Sequence, residues 1–386
     1  MEVSPPIPPD ESDRRPVSIW RLALYFLRLG TVGFGGPIAL AGLMQEDLVD
    51  VRRWVARKEY LEGLALAQLA PGPLAAQLAM YLGYVRGGIL GASVVAVAFI
   101  LPALLMVWAL SAAYVAFGGL SWMQGVFYGV GAAVIGIIAR SAWKLARLVL
   151  GRRAVLWGLF AILAVSTVWT GREIPWLFVA GGLVGLLAGH PRPRMAAACI
   201  VPVGIPIGFA ATSGTSVPAL LWFFGKAGAF VFGSGLAIVP FLYGGVVEEH
   251  HWLTDRQFLD AVAVAMITPG PVVITAAFIG YLVAGLPGML AAAAGVFLPV
   301  YAFVVVAAPS FHRYGQRPAV KAFVEGVTAA AAGAIAGAAV VLARRAFVDP
   351  WTVAIGAVAF AVPLRFKVSD LWLIGGAAAV GWLLGG

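Results

Sequence analysis

Hydrophobic residues make up 62% of this 386-residue chain and charged residues 11%, with 26 Lys and Arg set against 17 Asp and Glu for a net charge of +9. Soluble proteins carry roughly 25% charged residues, so a chain with this composition cannot coat globular domains, and its apolar excess must face lipid. A single cysteine, Cys199, excludes an intramolecular disulfide and a cysteine-based metal cluster. The basic residues are scattered between apolar runs, which argues against a nucleic-acid partner and for loops that report membrane orientation.

Residues 1–18 lack the charged-then-apolar order of a signal peptide and read as a disordered cytoplasmic tail. Apolar runs follow at 19–44, 60–84, 88–116, 121–149, 154–170, 174–189, 195–212, 217–247, 257–283, 287–309, 320–343, 350–364 and 369–385. They have helical lengths and no strand alternation, so the fold class is an all-α polytopic membrane protein with about 13 transmembrane segments. An internal repeat groups them. Phe34-Gly35-Gly36 recurs as Phe232-Gly233-Ser234, Trp54 as Trp252, and Pro71-Gly72-Pro73 as Pro269-Gly270-Pro271, all 198 apart. After one deletion Gly83-Tyr84 matches Gly280-Tyr281, and Pro102 matches Pro299. The chain thus divides into two homologous six-helix halves, 19–194 and 217–386, with 195–216 as linker or joining helix. Only when 195–212 crosses does the Lys and Arg distribution become one-sided, which makes the halves an inverted repeat with a cytoplasmic N-terminus and an external C-terminus.

Inverted repeats with broken helices are the pattern of secondary transporters that alternate access around a midplane site between the halves. The breaks here are Gly33, Gly35, Gly36 and Pro37, then Pro71-Gly72-Pro73, then Gly233 and Gly235 with Ser234 between them, then Pro269-Gly270-Pro271. Proline removes a donor and glycine releases the chain from helical geometry. A helix restarting after Pro73 presents free N–H groups and a partial positive charge, which suits an anion. Gln68, Gln77, Thr268 and Thr275 flank the two Pro-Gly-Pro breaks as further donors. Arg28 and Lys226 are repeat equivalents inside apolar runs, so they read as a cationic floor for a doubly charged anion. Arg140, also in a run, reads as an orientation signal. Glu325 reads as an interfacial residue paired with Lys321 one turn back. Four adjacent residues, Glu248, Glu249, His250 and His251, cannot converge on one ion and read as a solvated loop. No metal or cofactor is expected, and the lack of clustered carboxylates or histidines in the runs disfavours an intramembrane enzyme acting on a lipid phosphate.

These motifs resemble the chromate ion transporters. The likeness rests on FGGP at Phe34–Pro37, APGP at Ala70–Pro73 followed by Gln77, Leu82-Gly83-Tyr84, TPGP at Thr268–Pro271, and Ile279-Gly280-Tyr281. It spans about 20–345, both halves, as in long two-domain members. The resemblance implies chromate export across the bacterial plasma membrane, sulfate as a look-alike oxyanion, and chromate resistance as the phenotype. Uptake or exchange of sulfate or another anion is the rival within the same class. A homodimer is open on the sequence. Two positions depart from the family pattern: Leu40 stands where a histidine is common, and Ser234 replaces a usual glycine.

Overall fold

The computed structural model describes residues 17–33, 36–117, 121–151, 153–170, 175–189, 216–230, 238–314, 317–366 and 368–385. Among these residues there are fourteen α-helices and no strand. In the first half they are α1 (Ile19–Val32), α2 (Gly36–Met44, continued by a π-helical turn Gln45–Val51), α3 (Arg57–Leu69), α4 (Leu74–Phe117), α5 (Ser121–Leu150), α6 (Ala154–Thr170) and α7 (Pro175–Gly189). The second half repeats the order with α8 (Val217–Phe230), α9 (Ile238–Tyr243, continued by Gly244–Glu249), α10 (Asp255–Ile267), α11 (Thr275–Tyr314), α12 (Pro318–Ala346), α13 (Pro350–Arg365) and α14 (Asp370–Gly385).

The glycine and proline breaks reverse the chain rather than merely bending it. α1 and α2 form a hairpin, because Tyr25 of α1 meets Trp54, beyond the π turn, with ring centroids 6.5 Å apart. The repeat-equivalent Phe223 meets Trp252 at 5.4 Å. α3 returns through Pro71–Pro73 to lie along the start of α4, so closely that a Cβ on Gly63 would fall 2.3 Å from the Tyr81 ring. α4 itself doubles back at Gly87 and Gly88, as α11 does at Ala284 and Gly285. A Cβ on Gly91 would sit 2.1 Å from the Gly83 carbonyl oxygen, and one on Gly288 2.2 Å from that of Gly280. Residues eight apart in one straight helix would be ~12 Å apart. Each of α4 and α11 is therefore a short arm, 74–86 or 275–283, followed by a long arm that reaches the other face.

This arrangement corrects the path expected for the first two apolar runs of each half. Runs 19–44 and 60–84 enter and return on one face, because the chain reverses at their central breaks, bringing Tyr25 against Trp54 and Gly63 against the Tyr81 ring. Two hairpins return the chain to its starting face just as two crossings do, so the inversion survives. Contacts along α5 show it directly. Gly129 abuts Ala377 and Gly381, while Arg140 reaches Asp370, so α5 and α14 are antiparallel. Gly136 abuts Gly356 and Ala359, and Tyr128 bonds Asp349, so α5 and α13 are parallel. The bases of the first-half hairpins then share a proximal face with Ser18, and those of the second-half hairpins lie on the distal face. Gly189 ends proximally and Ser216 begins distally; run 195–212 lies outside the described residues.

The two halves also exchange their ends. α5 packs on α13 and α14 of the other half, and α12 packs reciprocally on α6 and α7. Exposed tryptophans mark both boundaries: Trp20, Trp157 and Trp372 proximally, Trp169, Trp176, Trp351 and Trp382 distally. Such aromatic belts, together with the large exposed apolar side chains between them, characterise an integral membrane protein.

Candidate functional site

The hairpin tips of the two halves meet in the interior. Gly270 of the second Pro-Gly-Pro donates its backbone N–H to the carbonyl oxygen of Gly33, at the end of α1, over 3.1 Å. Both Pro-Gly-Pro glycines have positive φ, +129° at Gly72 and +105° at Gly270, a region that side chains rarely tolerate. A Cβ on Gly72 would fall 2.8 Å from Val300 on the long arm of α11, and one on Gly270 2.9 Å from Ala103 on the long arm of α4. Ala103 and Val300 are themselves repeat equivalents. Each tip is thus seated on the long arm of the opposite half.

The described residues of the Pro-Gly-Pro tips are shielded from solvent. Gly72, Pro73, Pro269 and Pro271 are buried, and Pro71 and Gly270 partly so. Gln77 is fully buried in the first turn of α4. Its Nε2 donates to the Pro71 carbonyl oxygen, and its Oε1 has no hydrogen-bond partner among the described residues. Thr268 is buried and spends its hydroxyl on the Val264 carbonyl oxygen, 2.7 Å away. The first backbone bond of α4 runs from the Gln77 N–H to the Pro73 carbonyl oxygen. The N–H groups before it belong to the helix start that has no intrahelical acceptor, and they carry the positive end of the dipole.

The other residues expected at the site divide. Gly36 opens α2 at the first tip, whereas Gly35, Gly233 and Ser234 lie outside the described residues. Gln68 is exposed, and Thr275 is buried in the second half. Arg28 and Lys226 both fall on exposed stripes of their helices. Leu24 and Leu27 share the stripe of α1, Leu221 and Trp222 that of α8. Each cation is four residues from the end of its helix at the tip. The structure does not bring them in among the buried tip residues.

Two other expectations resolve differently, and the 248–251 cluster keeps Glu249, His250 and His251 exposed. Arg140, expected as an orientation signal, is a buried partner of Asp370 at 2.5 Å. Glu325 pairs with Arg153 at 2.6 Å, not with Lys321. In the 248–251 cluster, Glu248 binds Arg345 at 2.6 Å, His250 stacks on Trp252 with centroids 4.5 Å apart, and the His251 Nδ1 lies 2.8 Å from the Val247 carbonyl oxygen. One buried carboxylate escaped the sequence reading. Asp260 in α10 accepts a 2.7 Å hydrogen bond from the Tyr114 hydroxyl. The signal was available, since Asp260 is the carboxylate of run 257–283 and stands 198 residues after Glu62 of α3.

Comparison with known proteins accords with this geometry. The family described as Chromate transporter matches residues 20–186 and again 198–382. The chain is 56% identical over 389 residues to the chromate transport protein of Cupriavidus metallidurans, covering 97% of each. It is 54% identical over 350 residues to the probable chromate transport protein of Synechococcus elongatus, covering 89% of each. Against the chromate transport protein of Pseudomonas aeruginosa the identity is 31% over 392 residues, with 96% of this chain and 93% of the relative covered. No solved structure matches the chain. These relatives are transport proteins rather than enzymes, and with its two-fold match, its inverted halves and its paired Pro-Gly-Pro tips, this chain belongs to the chromate transporter family.

Proposed function

We propose that the protein is a secondary transporter that exports chromate across the bacterial plasma membrane and thereby confers chromate resistance. The names carried by its relatives supply the substrate, and one observation supports the mechanism: the Gly270-to-Gly33 hydrogen bond joins hairpins that open to opposite faces. A site between such tips is reachable from one face when the first-half hairpins part and from the other when the second-half hairpins part. That is alternating access with the midplane site shared by the halves. Gly36, Pro71, Gly72, Pro73 and Gln77 line it from one half, and Thr268, Pro269, Gly270 and Pro271 from the other. Backbone N–H groups at the restarting helices hold the oxyanion, and Arg28 and Lys226 add positive potential beside the tips. The proximal face, rich in Arg21, Arg52, Arg53, Arg57, Lys58 and Arg86, is cytoplasmic by the positive-inside rule, which leaves the C-terminus outside.

Counterflow of labelled chromate and sulfate in proteoliposomes tests the reading. Chromate should exchange, and sulfate should compete as an oxyanion of the same shape. Gly72→Leu and Gly270→Leu should reach the membrane and lose exchange, because a side chain there is both strained and blocked. Normal exchange in both variants would reduce the tips to packing features. Arg28→Gln with Lys226→Gln should weaken chromate binding several-fold through the lost positive potential beside the tips; unchanged affinity would remove the two cations from the site.

A further inference from the structure

Asp260 is a buried charged group that the reading above does not use. It lies in α10, seven residues before the helix ends at the second Pro-Gly-Pro tip, and is 4% exposed. Tyr114, which bonds it, belongs to the distal end of the long arm of α4 in the other half. The groups that face this carboxyl are few. Arg256 stands one turn back on α10 and is exposed, Tyr114 comes from α4, and Gln124 and Phe127 of α5 carry no charge. Asp260 makes no ion pair among the described residues. Burial without a paired cation disfavours an ionised carboxylate and favours the acid.

The surroundings give a proton a route to it. Asp260 lines a cavity of about 200 Å³ with Tyr114, Gln124, Thr254, Arg256 and Gln257. Thr254 and Gln257 also line a wider cavity of about 450 Å³ that holds Glu248, His251 and Asp255 at the distal face. A chain of polar side chains therefore leads from distal solvent to a single buried carboxyl.

That carboxyl is mechanically placed. α10 and the long arm of α4 touch at two levels, at Asp260 with Tyr114 and, past the end of α10, at Gly270 with Ala103. Ionising Asp260 would draw water and Arg256 toward it and weaken the fit of α10 against α4. We infer that Asp260 is a proton-binding site, filled from the distal face, whose occupancy is linked to the seating of the second Pro-Gly-Pro tip. The link to transport rests on the function proposed above; the proton site does not.

Two readouts separate these parts. Infrared spectra of the purified protein in lipid, recorded from about pH 5 to pH 8, should contain a neutral carboxyl stretching band that titrates and that Asp260→Asn removes. Tyr114→Phe should displace its midpoint. Absence of the band in the wild type, or its persistence in Asp260→Asn, would overturn the proton site. In proteoliposomes, an imposed pH gradient should change net chromate flux in the wild type at least several-fold. Asp260→Asn should keep chromate counterflow while losing that response. A variant that keeps the response, or that loses counterflow in step with it while folded, would overturn the link. A titrating band in a protein with no chromate exchange would instead leave the proton site standing and refute the transport reading.

Discussion

Arg140 shows how a single intramembrane charge is made tolerable. Its side chain is 5% exposed, that of Asp370 is 37% exposed, and the pair joins α5 to α14. Its Nε has no partner among the described residues, so the guanidinium leans on the Asp370 carboxylate for its stability. Removing one member of a buried pair strands the other, at about 3–5 kcal/mol, whereas replacing both with apolar groups is often neutral. Asp370→Ala should therefore cost about 3 kcal/mol, the lower end, since water reaches the aspartate side. Arg140→Met should cost less, and the double variant should recover most of the loss. Unfolding in a graded series of detergent mixtures measures all three, and equal losses in Asp370→Ala and the double variant would deny the pairing. The sequence marks Arg140 as a charge in need of a reason. It cannot supply the reason, because Asp370 is 230 residues away and opens a run that reads as featureless.

At the scale of elements, the breaks were legible and their consequences were not. Gly-Pro and Pro-Gly-Pro motifs announce that a helix stops, but the same residues serve a kink, a hinge or a reversal. What decides is contact: Gly83 against Gly91, Gly280 against Gly288, Gly30 against Phe99 and Gly228 against Val296 are all approaches that a Cβ would spoil. The glycines at each turn have separable jobs. Gly88 takes φ of +56° but has open space around the position of a Cβ, while a Cβ on Gly83 would lie 2.5 Å from the Gly91 carbonyl oxygen. Gly88→Ala should thus cost only the left-handed penalty, about 1 kcal/mol, and leave expression and exchange near normal. Gly83→Ala should push the two arms of α4 apart and sharply lower the yield of folded protein. Comparing monodisperse yield and chromate exchange for the two variants checks the assignment; similar behaviour would mean that backbone freedom, and not close approach, shapes the turn.

At the scale of the whole molecule, the repeat and its inversion were readable because they rest on counts: a fixed spacing and the sides taken by Lys and Arg. The exchange of α13 with α14 for α6 with α7 was not, since helix pairs formed across the halves leave no local trace in either partner. The hairpins also redistribute charge. A path of straight crossings puts Lys58 opposite Arg21 and places Arg256 on the N-terminal side. The folded chain instead gathers Arg21 and Lys58 on the proximal face and sends Arg256 and Glu249 to the distal one. Single cysteines at these four exposed positions, on a Cys199→Ala background, distinguish the two paths with one impermeant maleimide added to intact cells. Labels at Arg256→Cys and Glu249→Cys, with Arg21→Cys and Lys58→Cys reacting only after the membrane is permeabilised, are the expected result. Both hairpin bases reacting from the same side would abolish the inversion. Lys58→Cys reacting from outside while Arg21→Cys does not would restore α1 with α2 as a crossing, and with it a tip region that no longer holds Gly33 under Gly270.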